Sequence, residues 1–159
     1  MSVNGRHNLV DKMLSPDKYI RKAYGTILSG IGCPIYDMVV PKDKEILPLY
    51  VLITTQTKRP NFETQCGHDW DCTILLDIIA TFQNGFADRA VVDDLETKIL
   101  TAIDTWTFDK TEIAIQPFHV YNTEVDDSHD DFLTTPSKTI VRKLLRFRHF
   151  VGAVNNIVS

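Results

Sequence analysis

The 159-residue chain carries 43% hydrophobic and 24% charged residues with a formal net charge of −4, a balance that fits one soluble globular domain large enough to bury a core. Its mild acidity argues against general nucleic-acid binding, which needs a basic footprint, and no run of about 18 apolar residues is present to span a membrane. The three cysteines, Cys33, Cys66 and Cys72, are sparse and odd in number, which reads as reduced thiols in a cytoplasmic setting rather than a disulfide framework.

Residues 1–15 are polar and read as a flexible lead-in without the apolar core of a signal peptide; residues 16–155 read as a single domain. Ser15-Pro16-Asp17 opens a helix, with Ser15 as the expected cap. Tyr19, Ile20, Ala23, Tyr24, Ile27, Leu28 and Ile31 then recur at three- and four-residue spacing, a single apolar stripe, and Gly30 and Gly32 end it. Pro34–Val40 predicts a short strand and Leu49–Thr57, rich in β-branched residues, a second. Lys58–His68 reads as a long polar connection of the kind that often serves binding.

Asp69–Phe82 is the strongest pattern in the chain. Trp70, Cys72, Ile74, Leu76, Ile78, Ala80 and Phe82 form an unbroken apolar row, while Asp69, Asp71, Thr73, Leu75, Asp77, Ile79 and Thr81 form the alternate one. Strict alternation means a core strand with one buried face, here expected as one leg of a long hairpin, with its acids on a wet face. Past Gly85, Asp88 is the expected cap of a second helix whose buried stripe is Val92, Leu95, Ile99, Ala102 and Ile103, with Asp93, Asp94, Glu96 and Lys98 facing water. Thr111–Tyr121 predicts a strand broken at Pro117, Asn122–Ser137 an acidic loop, and Ile140–Val151 a last strand on which Val141, Leu145, Phe147 and Val151 alternate with Arg142, Leu144, Arg146 and Arg148. The fold class is α+β: one antiparallel or mixed sheet with two helices on one face and a long β-hairpin.

Candidate chemistry is thin. Cys66, His68 and Cys72 lie close in sequence, but a structural zinc site supplies ligands in close pairs from two places, and Cys72 falls on the inward row, where a free cysteine acts as a small hydrophobe. Asp69, Asp71 and Asp77 share a strand face and offer a Mg²⁺-dependent nuclease as an alternative; it predicts nicking lost when Asp71 or Asp77 becomes Ala. Asp126, Asp127, His129, Asp130 and Asp131 lack the spacing of a calcium loop. No phosphate-binding glycine loop, nucleophile elbow or H-E-x-x-H occurs, and His7, His119 and His149 stand without a nucleophile beside them. The chain reads as a non-enzyme with no cofactor, no metal and no catalytic residues. A small monomeric interaction domain is the remaining alternative.

The helix over Asp17–Ile31, then Leu49-Tyr50-Val51-Leu52-Ile53, a polar hairpin loop, Thr73-Ile74-Leu75-Leu76-Asp77-Ile78, the Gly85–Ala87 turn, the helix to Ile103 and the closing strand Ile140–Val151 resemble, in that order, the tail-completion (tail terminator) proteins of tailed bacteriophages. The likeness covers nearly the whole chain after residue 15 and is one of pattern, without a diagnostic motif. It implies a structural virion protein of the neck, assembled in the bacterial host cytoplasm as a homo-oligomeric ring, commonly a hexamer. Such a ring caps the tail tube protein and meets a neck or head-completion (stopper or connector) protein, with DNA passing through its lumen and no membrane involved. On that reading the expected interface residues are Lys58, Arg59, Asn61 and Glu63 in the hairpin loop, Asp126, Asp127, Asp130 and Asp131 in the acidic loop, and Arg142, Arg146 and Arg148 on the basic strand. The acidic and basic segments could meet head to tail between subunits or could equally face solvent, where they would contribute little.

Overall fold

The computed structural model describes residues 14–61, 69–83, 85–108 and 118–153. In chain order these form α1 (Asp17–Ile27, extended by a 3₁₀ turn at Leu28–Gly30), β1 (Ile35–Asp37), β2 (Leu49–Asn61), β3 (Asp69–Gln83), α2 (Arg89–Phe108), β4 (Phe118–Thr134) and β5 (Lys138–Ala153). One five-stranded mixed sheet has the order β1-β2-β3-β5-β4. Only the β1–β2 pair is parallel; β2–β3, β3–β5 and β4–β5 are antiparallel. Two long hairpins, β2–β3 and β4–β5, therefore lie side by side, joined by the pairing of β3 with β5 and by the α2 crossover.

The organising strand holds the centre. Trp70, Cys72, Ile74, Leu76, Ile78 and Ala80 are all buried, because this row faces the helices while β2 and β5 flank β3 on both sides. Across the sheet, Val51 and Ile53 of β2 and Val141, Leu145, Phe147 and Val151 of β5 join that row. From above it, α1 contributes Ile20, Ala23, Tyr24 and Leu28, and α2 contributes Val92, Leu95, Ile99 and Ile103. The helical stripes read from three- and four-residue spacing are thus the buried ones, and both helices pack on one face.

Four local expectations are corrected. The N-cap of α1 is Pro16, with no side-chain capping bond; Ser15 does not cap. Instead the Pro16 carbonyl accepts from Tyr19 N and Ile20 N. Asp88 does cap α2, its Oδ1 accepting from Ala90 N at 2.9 Å. The first strand stops at Asp37 because Met38 turns into the left-handed region at φ 67°, a break that no glycine announces. β2 runs on through Lys58–Asn61, paired with Asp69–Cys72, so the loop expected to start at Lys58 is strand for its first residues; the tip, with Glu63, Cys66 and His68, lies outside the described residues. The largest correction is the acidic segment. Asn122–Thr134 is not a loop but most of β4, paired with β5 along its length with bulges at Val120/Asn122 and Val125/Asp127. Alternation was hidden there by the bulges, which reset the phase of a period-two pattern. The part of the expected strand before Phe118, with Pro117, lies outside the described residues.

Candidate interaction surfaces

Each face of the sheet carries its own set of charges. On the face away from the helices, Asp71 and Asp77 were expected to be wet, yet they are only 8% and 3% exposed. Arginines from β5 cover them. Arg148 Nε and Nη2 donate to the two Asp71 carboxylate oxygens at 2.8 and 2.5 Å, and Arg142 Nε and Nη2 donate to those of Asp77 at 3.2 and 2.5 Å. The same diagonal is used twice: Asp71 sits opposite Phe150 and takes Arg148, while Asp77 sits opposite Leu144 and takes Arg142. Such two-pronged pairs match the fork of a guanidinium to a carboxylate. Arg59 adds a second donor to Asp71 at 3.3 Å. The Arg148 bonds hold the Asp71 carboxyl below the usual range, against the opposing effect of burial.

β4 completes both rows. Glu124 lies 3.7 Å from Arg148 and Asp131 3.7 Å from Arg142, and Asp127 is in register with Arg146 while accepting from His129 Nδ1. Asp126 sits at a bulge, exposed. The acidic and basic segments, read from the sequence as either meeting between subunits or facing solvent, are neighbours within one chain. This face is a ladder of paired opposite charges rather than a basic surface. Nor do its carboxylates converge: Asp71 and Asp77 are separated along one strand by roughly 20 Å at about 3.3 Å per residue, and each is already occupied by a guanidinium.

The helix-facing side holds two polar residues that sequence reading left in other categories. Lys143, on the same strand as Arg142, Arg146 and Arg148, points under α2, where its Nζ bonds Asp93 and Glu96 and lies 3.4 Å from Asp130. Burial would depress its pKa, but the bonds from Asp93 and Glu96 outweigh that and hold it above the ordinary lysine value. Glu96, expected in water, is thus turned onto the sheet. His149 is fully buried, with Nε2 2.6 Å from the Tyr24 hydroxyl and Nδ1 2.8 Å from Thr123 Oγ1; burial lowers its pKa to about 3. The signal for both was present, since positions 143 and 149 are in phase with Val141, Leu145, Phe147 and Val151. Cys72 is buried and its thiol is pushed up to about 12 by desolvation, the state of an inert core cysteine rather than a ligand.

Apolar surface gathers along β4. Tyr121, Val125, Phe132 and Leu133 are exposed, Phe132 to 73%. Near the β4–β5 turn, Phe132 and Val141 line a cavity of about 490 Å³ with Gly85, Ala87, Arg89 and Asp130. Among the described residues no strand pairs with the outer edge of β4, and none pairs with the outer side of β2 beyond Ile53, where its pairing with β1 ends. Of the expected interface residues, Lys58, Arg59 and Asn61 lie on that open stretch of β2, Asp126, Asp127, Asp130 and Asp131 on edge strand β4, and Arg142, Arg146 and Arg148 on the interior strand β5.

Neither a protein-family profile nor a curated protein sequence matches the chain. Among solved structures, it is similar to a chain of the "Virion of native gene transfer agent (GTA) particle", with a TM-score of 0.54 and 13% identity over 91% of this chain and 98% of that one. At that identity the likeness shows a shared fold, spanning almost the full length of both chains.

Proposed function

We propose that this protein is a non-catalytic structural component of a phage-type virion, and more narrowly a tail terminator that assembles as a ring at the head–tail junction. The observation that carries the reading is the full-length fold likeness to a chain of a virion, which agrees in kind with the segment order that resembles tail-completion proteins. The sheet edges support it. A long open edge bearing exposed apolar residues is a liability in a monomer and is ordinarily paired or covered; in a ring, neighbouring subunits supply the cover. The candidate nuclease carboxylates are bound to arginines, which favours a structural role for them over metal chemistry.

In this role the ring, a hexamer by the resemblance, would stop growth of the tail tube protein on one side and receive the neck protein on the other, with DNA passing through its lumen. The test is a tube-assembly assay with a phage-type tail tube protein. Added at substoichiometric amounts, the protein is expected to shorten the tubes and to appear at one tube end only. Tubes of unchanged length with no end-bound density would contradict the role.

A further inference from the structure

We infer that the ring closes by sheet extension, with the outer edge of β4 in one copy pairing antiparallel with the open outer half of β2, Thr54–Asn61, in the next. This rests on the ring reading above and specifies the surfaces that make it.

Strand direction comes first. Because β2, β3, β5 and β4 are successively antiparallel, β4 runs opposite to β2. A sideways step from one copy to the next keeps the helices on the same face and sets β4 beside the next β2 in antiparallel register. The levels match as well. Arg59 is in register with Asp71, Asp71 with Phe150, and Phe150 with Asn122, so the open half of β2 lies level with the Phe118–Asp127 half of β4. There β1 no longer blocks β2, since its pairing ends at Ile53. The pairing would span roughly 25 Å at about 3.3 Å per residue.

Charge then selects the partner. Glu124, Asp126, Asp127, Asp130 and Asp131 all lie on β4, so pairing β4 with a second β4 across a two-fold axis would set acids against acids, which is unfavourable. The open stretch of β2 instead carries no acid and two cations, Lys58, whose Nζ is held by Asp17 Oδ2 at 2.6 Å, and Arg59, whose side chain stays 75% exposed beside Asp71. Acidic edge against basic edge is a contact between two different surfaces of the same chain, and such a heterologous contact propagates until it closes into a ring. Tyr121 and Val125, exposed in one copy, would be covered by the next.

The test compares hydrogen exchange of the full chain, followed by mass spectrometry, in dilute solution and in the assembled state. The inference expects the outward-pointing backbone amides within 118–127 and 54–61, where Pro60 has none, to exchange at least about ten-fold more slowly on assembly. It also expects Asp126→Lys, at an exposed bulge position, to weaken assembly by about ten-fold or more with an unchanged melting temperature of the monomer, and Asp126→Asn to weaken it less. Rings whose protection falls elsewhere, for example around Phe86 and Phe132, would overturn edge pairing while leaving the ring intact. Failure to assemble at any concentration would overturn the ring reading and this inference with it.

Discussion

The Tyr24 hydroxyl and His149 Nε2 lie 2.6 Å apart, joining α1 to β5 through a buried polar contact. Phe147 packs against the same Tyr24 ring with centroids 5.9 Å apart. A buried polar group left without its partner costs about 1–3 kcal/mol, so Tyr24→Phe is expected to lower stability by that amount and the melting temperature by several degrees. Urea denaturation monitored by circular dichroism measures it; an unchanged midpoint would contradict the role of this bond.

The same imidazole gives stability a defined pH dependence. In an unfolded chain histidine takes up a proton near pH 6.5, whereas burial keeps His149 neutral in the folded protein down to about pH 3. Between those values the unfolded state binds the additional proton. The contribution is therefore complete above about pH 6.5 and is lost as pH falls toward 3, at up to about 1.4 kcal/mol per pH unit. His149→Gln should flatten the slope of melting temperature between pH 6 and 4 relative to the native protein.

Asp71 acts in a lower window. The Arg148 bonds hold its folded pKa below the unfolded value near 3.9, so its contribution is present above about pH 4 and is lost as pH falls through the folded value. Asp71→Asn should remove part of the acid-induced loss of stability below pH 4 and leave the slope between pH 6 and 5 unchanged. Acid titrations of the two variants, Asp71→Asn and His149→Gln, separate the contributions.

Gly152 is held small by what lies over it. A Cβ there would come within 2.5 Å of Asp69 Oδ1 and 2.6 Å of Tyr121 Cε2, so a side chain at 152 must displace both the Asp69 carboxylate and the Tyr121 ring. Gly152→Ala is expected to cost about 1 kcal/mol, and in a cycle with Tyr121→Ala the two losses should be less than additive, as for residues in contact. Full additivity would mean that the ring moves aside without consequence.

Cys72 offers a probe of the core. With its thiol buried and pushed up to about 12, labelling in the native state should follow opening of the sheet rather than intrinsic thiolate reactivity. Its rate is expected to rise steeply in subdenaturing urea, whereas fast labelling of Cys72 without denaturant would contradict its place in the core.

What the sequence made legible was whatever obeyed one period without interruption. The alternation from Trp70 to Ala80 and the helical stripes through Tyr24 and Ile99 identify the buried faces, because a constant period leaves one orientation for the whole segment. β4 escaped that reading: two bulges reset its phase, and an edge strand exposes both rows at its outer end, so DDSHDD resembles a solvated loop. The pairing of Asp71 with Arg148 escaped for another reason. Each partner is a wet-face residue on its own strand, and only the register between β3 and β5, which no local pattern encodes, puts them together. Lys143 and His149 were masked by residue type, although their phase on β5 already placed them inside. The expected interface residues are a mixed case: their segments are identifiable from charge, but the pairing of the acidic and basic ones within a single chain is a consequence of topology.

Self-assembly into a closed ring is read most directly from mass in solution by light scattering across a wide concentration range, with negative-stain images of the same samples. The predicted result is a concentration-dependent rise to a single closed species, a hexamer by the resemblance, seen as uniform annular particles. A mass that stays monomeric at every concentration, with no annular particles, would contradict it.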